Sequence, residues 1–439
     1  MRVGLVSLGC PKNQVDAEMI LASLRWDGAE IVDCTDGADV VIINTCAFID
    51  DAKKEAIDSI LDMAELKKEG VVGKIIVTGC LSQAHGSDIL KEMPEVDAVV
   101  GIGANSRIAD IVKSVAGGET VFDCPDVSCM CLEGQRLLTT PEYWAYLRIS
   151  DGCSNKCSYC AIPGMRGGLR SRKIETIVEE ARQLAAAGTK EIVLIAQDTT
   201  AYGRDIYGEH KLPALLNKLC SVSGIEWIRL LYCYPDEVTD ELIDVMEFQP
   251  KVLKYIDLPL QHADDKILKA MNRRGSQADI RSLVGKLRRR IPDIVIRTTL
   301  ITGFPGEGED EFERLAVFVN ELEFDRLGCF VFSPQEGTAA FSLPGDVDEE
   351  TKIRRREIIM EDQLRIAEEK NLKKIGTAFK VLVEEYDAYT DSYTGRTYMD
   401  APEIDGFVTF TSQKTFNPGD FADVVITGCR DYDLLGRAK

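Results

Sequence analysis

Fourteen cysteines stand in this chain of 439 residues, and six of them fall into two patterns. Cys153, Cys157 and Cys160 make a C-x3-C-x2-C run inside YLRISDGCSNKCSYC, directly after an apolar stretch at 144–150. Three thiolates on one short loop can hold three irons of a [4Fe–4S] cube and leave the fourth iron open. A zinc knuckle fits poorly, since its paired C-x2-C spacing is absent and no His lies close. Cys10, Cys46 and Cys80 form the other group, 36 and 34 residues apart. Each closes an apolar run: VGLVSLGC, DVVIINTC and KIIVTGC.

Those runs read as buried strands, and helix-like segments at 17–25 and 50–67 separate them. Strands alternating with helices predict a parallel, doubly wound, flavodoxin-like sheet, whose carboxyl edge is where ligands bind. The three strand-end cysteines should meet at that edge. Together they would suit an iron–sulfur cluster, or zinc with an open position. Three separate buried thiols are the plainer alternative, since free Cys is a common core residue.

Further apolar strands follow at 191–196, 227–232, 254–260, 294–302 and 328–332, with helical segments such as 174–187 and 310–322 between them. Six β/α units are too few for a closed eight-stranded barrel, so a partial (β/α)6 barrel is expected. Its mouth would carry the polar residues at strand ends: Gln197, Asp198, Tyr234, Gln261, His262 and Thr302. His85 and His210 read as solvated loop residues. Beyond a charged helix at 349–374, short strands at 379–384, 406–410 and 421–427 alternate with turn residues, which predicts a small OB-like β-barrel. The expected division is 1–122, a linker at 123–139, 140–373, and 374–439.

The C-x3-C-x2-C run, with Tyr159 before its last cysteine, resembles the signature of the radical S-adenosylmethionine superfamily. That resemblance implies that the open iron takes the amino and carboxylate groups of the cofactor's methionine. An electron then splits the sulfonium and yields a 5′-deoxyadenosyl radical. Gln197 and Arg297, by strand position, are the candidates to join Tyr159 in holding the cofactor. TGFPGE at 302–307 also looks like a segment of that superfamily, and the last barrel resembles the TRAM domain. This domain order, with Cys10, Cys46 and Cys80 in front, is similar to the methylthiotransferase family over essentially the whole chain. The resemblance implies two [4Fe–4S] clusters, the second on Cys10, Cys46 and Cys80 handling sulfur. It also implies two S-adenosylmethionine molecules and attachment of a methylthio group to an unactivated carbon.

The family has branches acting on tRNA adenosines and one acting on a protein. GCPKNQVDAE, LIAQDTTAYGRDIYG and DAPEIDG look like the branch that modifies an aspartate β-carbon of ribosomal protein S-twelve. The tRNA enzymes typically carry Gln-Met in place of Pro11-Lys12. Charge points the same way: 73 acidic against 52 basic residues leave a formal net charge of −21. An acidic enzyme attracts a basic ribosomal protein and repels nucleic acid phosphates. The TRAM segment from Gly376 holds six Lys/Arg against eleven Asp/Glu, so no footprint for RNA is visible. Asp400, Glu403 and Asp405 are the expected acidic docking residues. The basic loop MRGGLRSR at 165–172 is expected to steer a carboxylate of the target or the cofactor. A low-potential electron donor is a required partner. No apolar run is long enough to span a bilayer, and Met1 lies so close to the first strand that no signal peptide fits, so a cytoplasmic location is expected. Cys124, Cys129 and Cys131 in the linker read as reduced thiols on a flexible segment.

Overall fold

The computed structural model describes residues 1–34 and 36–439. The first unit is a six-stranded parallel sheet in the order β2-β1-β3-β4-β5-β6. Its strands are β1 (Arg2–Ser7), β2 (Glu30–Ile31), β3 (Val40–Thr45), β4 (Lys74–Gly79), β5 (Ala98–Val100) and β6 (Val121–Asp123). The three long strands match the apolar runs of the sequence. The short strands at 30–31, 98–100 and 121–123 had no run long enough to announce them. The strand order reverses between β1 and β3, so the crevice for a ligand opens at their carboxyl ends.

Helix α1 spans Pro11–Trp26, six residues longer at its start than the periodic pattern indicates. Pro11 fixes φ for the first helical position and lets the helix begin straight after Cys10, whose backbone is extended. Helix α2 (Asp50–Lys68) and helix α3 (Cys80–Glu92) follow β3 and β4. His85 lies inside α3 at a kink rather than in a loop. Helix α4 (Ile108–Ala116) covers the other face.

The second unit is an open, parallel half-barrel in the order β14-β13-β12-β11-β10-β7. Here β7 is Trp144–Arg148, and a small ladder of β8 (Ser150–Asp151) and β9 (Arg170–Ser171) frames the loop with the second cysteine group. The remaining strands are β10 (Glu191–Ile195), β11 (Trp227–Leu230), β12 (Val252–Gln261), β13 (Val295–Thr302) and β14 (Arg326–Val331). Ala145, Leu147, Ile192, Leu194, Ile228, Leu230, Ile256 and Ile296 face the outer helices in one large aliphatic core. The alternate positions point inward and differ in kind: Tyr146, Arg148, Glu191, Arg229, Tyr255, Asp257, Arg297 and Arg326. Those inward charges must find counter-charges or destabilise the fold.

The third unit supplies the counter-charges. A closed barrel in the order β15-β16-β17-β19-β18 is built from β15 (Ala378–Asp387), β16 (Ser392–Arg396), β17 (Val408–Thr411), β18 (Phe421–Arg430) and β19 (Asp433–Ala438). It caps the lower end of the half-barrel. Trp144, Tyr146, Trp227 and Tyr255 share one core with Val381, Met399, Val408 and Phe410. Arg396 Nη1 sits 2.8 Å from Glu191, and Arg229 Nε reaches the same carboxylate at 2.7 Å. Asp400 pairs with Arg326, Asp405 accepts from the Tyr255 hydroxyl at 2.7 Å, and Glu403 accepts from Tyr146 at 3.0 Å. The expectation of a docking face on these three carboxylates therefore fails for Asp400 and Asp405, whose side chains are buried. DAPEIDG is the floor of the half-barrel: Asp400 and Asp405 are committed to the inward-facing Arg326 and Arg297, while Glu403 is exposed and, among the described residues, accepts only from Tyr146.

The linker is also tied down. Arg136 is buried between Glu18 at 2.6 Å and Glu180 at 2.6 Å, and Thr139 donates its backbone N–H to Glu18 at 3.0 Å. Cys124 is half-buried, with its thiol 3.7 Å from the Ser82 carbonyl, while Cys129 and Cys131 are exposed. Among the described residues, no helix is long and apolar enough to cross a membrane.

Candidate active site

The strand-end cysteines are positioned by backbone that few residues could adopt. Gly9 has φ +94°, and a Cβ there would stand 2.6 Å from Cys46 Cβ. Gly79 has φ +99°, and a Cβ there would stand 2.3 Å from the Thr45 carbonyl. Both turns need glycine, for φ and for space, and each delivers the next residue, Cys10 or Cys80, to the edge of the sheet. Cys46 follows β3 directly and is buried, as is Cys80.

These three thiols share one neighbourhood. Each of Cys10 and Cys46 acts electrostatically on Cys80, and Cys10 acts on Cys46. Burial pushes the Cys80 thiol up to about 12 and raises that of Cys46. Asn13, one helical turn beyond Cys10, organises the group. Its Nδ2 donates to the carbonyls of Leu8 at 3.0 Å and Thr45 at 2.8 Å. Its Oδ1 lies 3.6 Å from Cys80 Sγ and accepts from Arg166 at 2.6 Å.

Arg166 comes from the other unit, at the end of helix α5 (Ile162–Arg166), which follows Cys160. It bridges Asp16 of α1 at 2.8 Å and Asp151 of β8 at 2.8 Å. Arg148 pairs with the same Asp16 and lies 3.4 Å from Asp151. All four side chains are at most 1% exposed. The ion network is therefore the joint between the two cysteine groups. Arg172 is likewise committed, to Glu180 at 2.6 Å and to the Arg148 carbonyl at 2.7 Å. Arg170 donates to the Val127 carbonyl at 2.6 Å. The basic loop thus holds protein carboxylates and carbonyls; it does not present free guanidinium groups to a ligand.

Around the loop cysteines, Tyr234 brings its hydroxyl 3.6 Å from Cys157 Sγ, and Arg273 lies 3.8 Å above the Tyr234 ring and 4.0 Å from the same sulfur. Burial pushes Cys153 up to about 11 and Cys160 up to about 12. A protein environment that disfavours the thiolate this strongly needs a bound cation to hold it ionised. Tyr159 packs against Met271, Phe304 and Phe332 beside the loop. Asn155 donates to Asp198 at 2.7 Å. Gln197 places Nε2 3.5 Å from Asp151, and among the described residues its buried Oε1 has no hydrogen-bond partner.

Other strand-end residues turn away. His262 is buried against Glu307 at 3.2 Å, with Glu307 held in turn by Arg355, and Thr302 donates to the Lys352 carbonyl at 3.2 Å. Arg297 is paired with Asp257 at 3.0 Å and lies 3.5 Å from Asp405, in the floor rather than at the rim. His210 is engaged by the Thr200 carbonyl at 2.9 Å and Glu237 at 3.0 Å, so it is not a free solvated ring.

In the sequence, Lys12 stands out only as part of the branch-specific Pro11-Lys12 pair, with no role of its own. It is 6% exposed, and its Nζ stands 3.0 Å from the centroid of the Tyr232 ring. Among the described residues it makes no hydrogen bond and no ion pair. Burial lowers its pKa to about 8. A desolvated cation–π contact returns about 2 kcal/mol. Burying an ion costs several kcal/mol, so Lys12 is left under-compensated.

Both triads suit iron–sulfur ligation by donor type, since each offers thiols alone. Among the described residues, no three His, Cys, Asp or Glu side chains are drawn together tightly enough for a single ion. A cube asks for looser spacing, because each thiolate binds a different iron.

Three family descriptions match successive parts of the chain: an uncharacterized protein family at 2–101, the radical SAM superfamily at 147–319, and the TRAM domain at 375–438. Full-length relatives include the ribosomal protein uS12 methylthiotransferase RimO of Thermoanaerobacter sp. strain X514, 47% identical over 99% of each chain. The protein of the same name from Clostridioides difficile strain 630 is 46% identical over 99% of this chain and 98% of that one. That from Pelotomaculum thermopropionicum is 48% identical over 99% of each. Among solved structures, the radical S-adenosylmethionine methyltransferase TsrM from Kitasatospora setae superposes with a TM-score of 0.57 at 13% identity, covering 77% of each chain. That likeness concerns the fold alone.

Proposed function

We propose that this chain, which belongs to the ribosomal protein uS12 methylthiotransferase family and is a radical S-adenosylmethionine enzyme, methylthiolates the β-carbon of an aspartate in uS12 (the S-twelve protein). The observation that carries this reading is the full-length similarity to uS12 methylthiotransferases at 45–48% identity. The two cysteine triads joined by Asn13, Arg166 and Asp151 support two [4Fe–4S] clusters, on Cys153, Cys157 and Cys160 and on Cys10, Cys46 and Cys80. The first would supply reductive cleavage of S-adenosylmethionine, and the second a site for the sulfur of the new group.

The chain's own residues set the conditions for that chemistry. Arg273 and Tyr234 flank Cys157 and hold positive charge and a hydroxyl beside its sulfur. Tyr159 and its apolar neighbours pack against one side of the loop. Gln197, with an unused acceptor at the mouth, is placed to receive a donor from the cofactor. Asp16, Arg148, Asp151 and Arg166 fix the spacing of the triads, so a substrate carbon between them can meet both. Reduction requires a low-potential donor, and the cofactor is consumed twice per product.

The acidic balance of the chain, −21, suits a basic ribosomal protein better than tRNA. Mass spectrometry of uS12 and of tRNA nucleosides from a deletion strain tests the reading. Loss of the methylthio group from uS12 with unchanged tRNA nucleosides is expected. Loss from tRNA adenosine alone would overturn the substrate while leaving the chemistry.

A further inference from the structure

We propose that Lys12 is the residue that recognises the carboxylate of the target aspartate, with Tyr232 holding its ammonium in place. The inference rests on the reading of uS12 as substrate. Lys12 is buried at the start of α1, two residues after Cys10, and its Nζ lies 3.0 Å from the Tyr232 ring centroid. Every other inward charge near it is answered. Asp257 is taken by Arg297, Asp151 by Arg166 and Arg148, and Asp16 by Arg148 and Arg166. Among the described residues Lys12 has a ring but no hydrogen-bonded or ion-paired anion, and Cys10, Asp151 and Asp257 act on it only through the field. A buried ammonium without a close counter-charge is stabilised when a carboxylate arrives to share its site.

Tyr232 supplies a second, independent sign. It has φ +60°, a left-handed conformation that is a genuine outlier for a bulky residue. Its backbone N–H is held by Asp257 at 2.9 Å, so the outlier is enforced by the barrel wall. Strain of this kind is kept where it aims a side chain for function. Here it lays the ring under Lys12 and leaves the ammonium's remaining donors uncommitted.

The shared chemistry is a carboxylate, and two molecules could bring one: the target aspartate or the methionine end of the cofactor. Position favours the aspartate. Lys12 and Tyr232 lie on the Cys10 side of the mouth, whereas the loop cysteines are attended by Tyr234 and Arg273. A substrate carbon that receives sulfur must approach the Cys10 side.

The test uses the reconstituted holoenzyme and purified uS12, native or with its target aspartate changed to Asn. The wild-type enzyme should bind the Asn form about tenfold more weakly or worse, the loss of one charge-assisted hydrogen bond. Lys12→Met should bind the two forms equally, and Lys12→Arg should keep part of the preference. In turnover the Lys12→Met defect should fall on KM more than on kcat. Equal binding of both forms by the wild type would overturn the proposal and needs no variant, so a Lys12→Met protein that loses iron cannot shelter it. A Lys12→Met variant that keeps the preference, or that loses affinity for S-adenosylmethionine instead, would overturn it too. If the wild type neither binds nor modifies either form, the substrate reading itself falls.

Discussion

The two cysteine triads are built by opposite means. Cys153, Cys157 and Cys160 lie within eight residues on one loop, so the local chain sets their spacing. Cys10, Cys46 and Cys80 span 71 residues and meet only because three parallel strands end at one edge. The loop triad is therefore a portable motif, while the strand-end triad is a property of a sheet. A loop site can hold its ligands in a loosened protein. A sheet site exists only when the sheet does.

Four experiments would break or sharpen that contrast. The largest effect is expected from Cys153→Ala, Cys157→Ala and Cys160→Ala together. Reductive cleavage of S-adenosylmethionine, followed as 5′-deoxyadenosine, should vanish, and iron should fall from about eight to about four per chain. The matching change at Cys10, Cys46 and Cys80 should also remove about four irons, leaving about four. In that variant 5′-deoxyadenosine should still form while no methylthiolated product appears. If it keeps all its iron, the strand-end cysteines are only core residues.

Arg166→Ala strikes the joint between the two sites. Removing one member of a buried ion network costs about 3–5 kcal/mol. Denaturant unfolding should show that loss, and a loss below about 1 kcal/mol would mean the joint is not structural. The smallest effect lies in the floor, away from both triads. Glu191→Gln should cost about 1–3 kcal/mol, because Arg229 and Arg396 keep other acceptors. Although burial opposes ionisation, Arg229 and Arg396 hold the Glu191 pKa below its ordinary 4.5. Its contribution is thus complete above pH 4.5 and fades as pH falls below that value. The stability gap between wild type and Glu191→Gln should narrow on acidification from pH 6 to about pH 4. A gap that stays constant would show that Glu191 is not ionised in the folded protein.

Much of the scaffold is written locally. Unbroken apolar runs such as VVIINT announce parallel strands, and a glycine followed by cysteine at the end of a run announces a turn that delivers a thiol to the sheet edge. Long-range polar pairing is not written that way. Arg166 meets Asp16 across 150 residues, and nothing in MRGGLRSR separates an arginine bound for a buried carboxylate from one meant for a ligand. DAPEIDG misled for the same reason: acidic residues on a turn read as surface until Arg297 and Arg326 are seen to face inward. Lys12 carried a signal of a fainter kind, a lysine in the first turn of a helix that follows a cysteine. Only the structure shows that it is buried with no hydrogen bond or ion pair among the described residues.

The barrel floor also has a consequence in time. Arg229 waits for the carbonyl of Tyr398, 169 residues later, and Glu191 waits for Arg396, 205 residues later. At typical synthesis rates that gap is on the order of ten seconds or more. Until β19 emerges, Trp144, Tyr146 and Trp227 look out of an unfinished half-barrel beside unmatched charges. The nascent chain is in that interval a natural client for chaperones, and a prematurely terminated one is marked for degradation by the very surface its last domain would have covered.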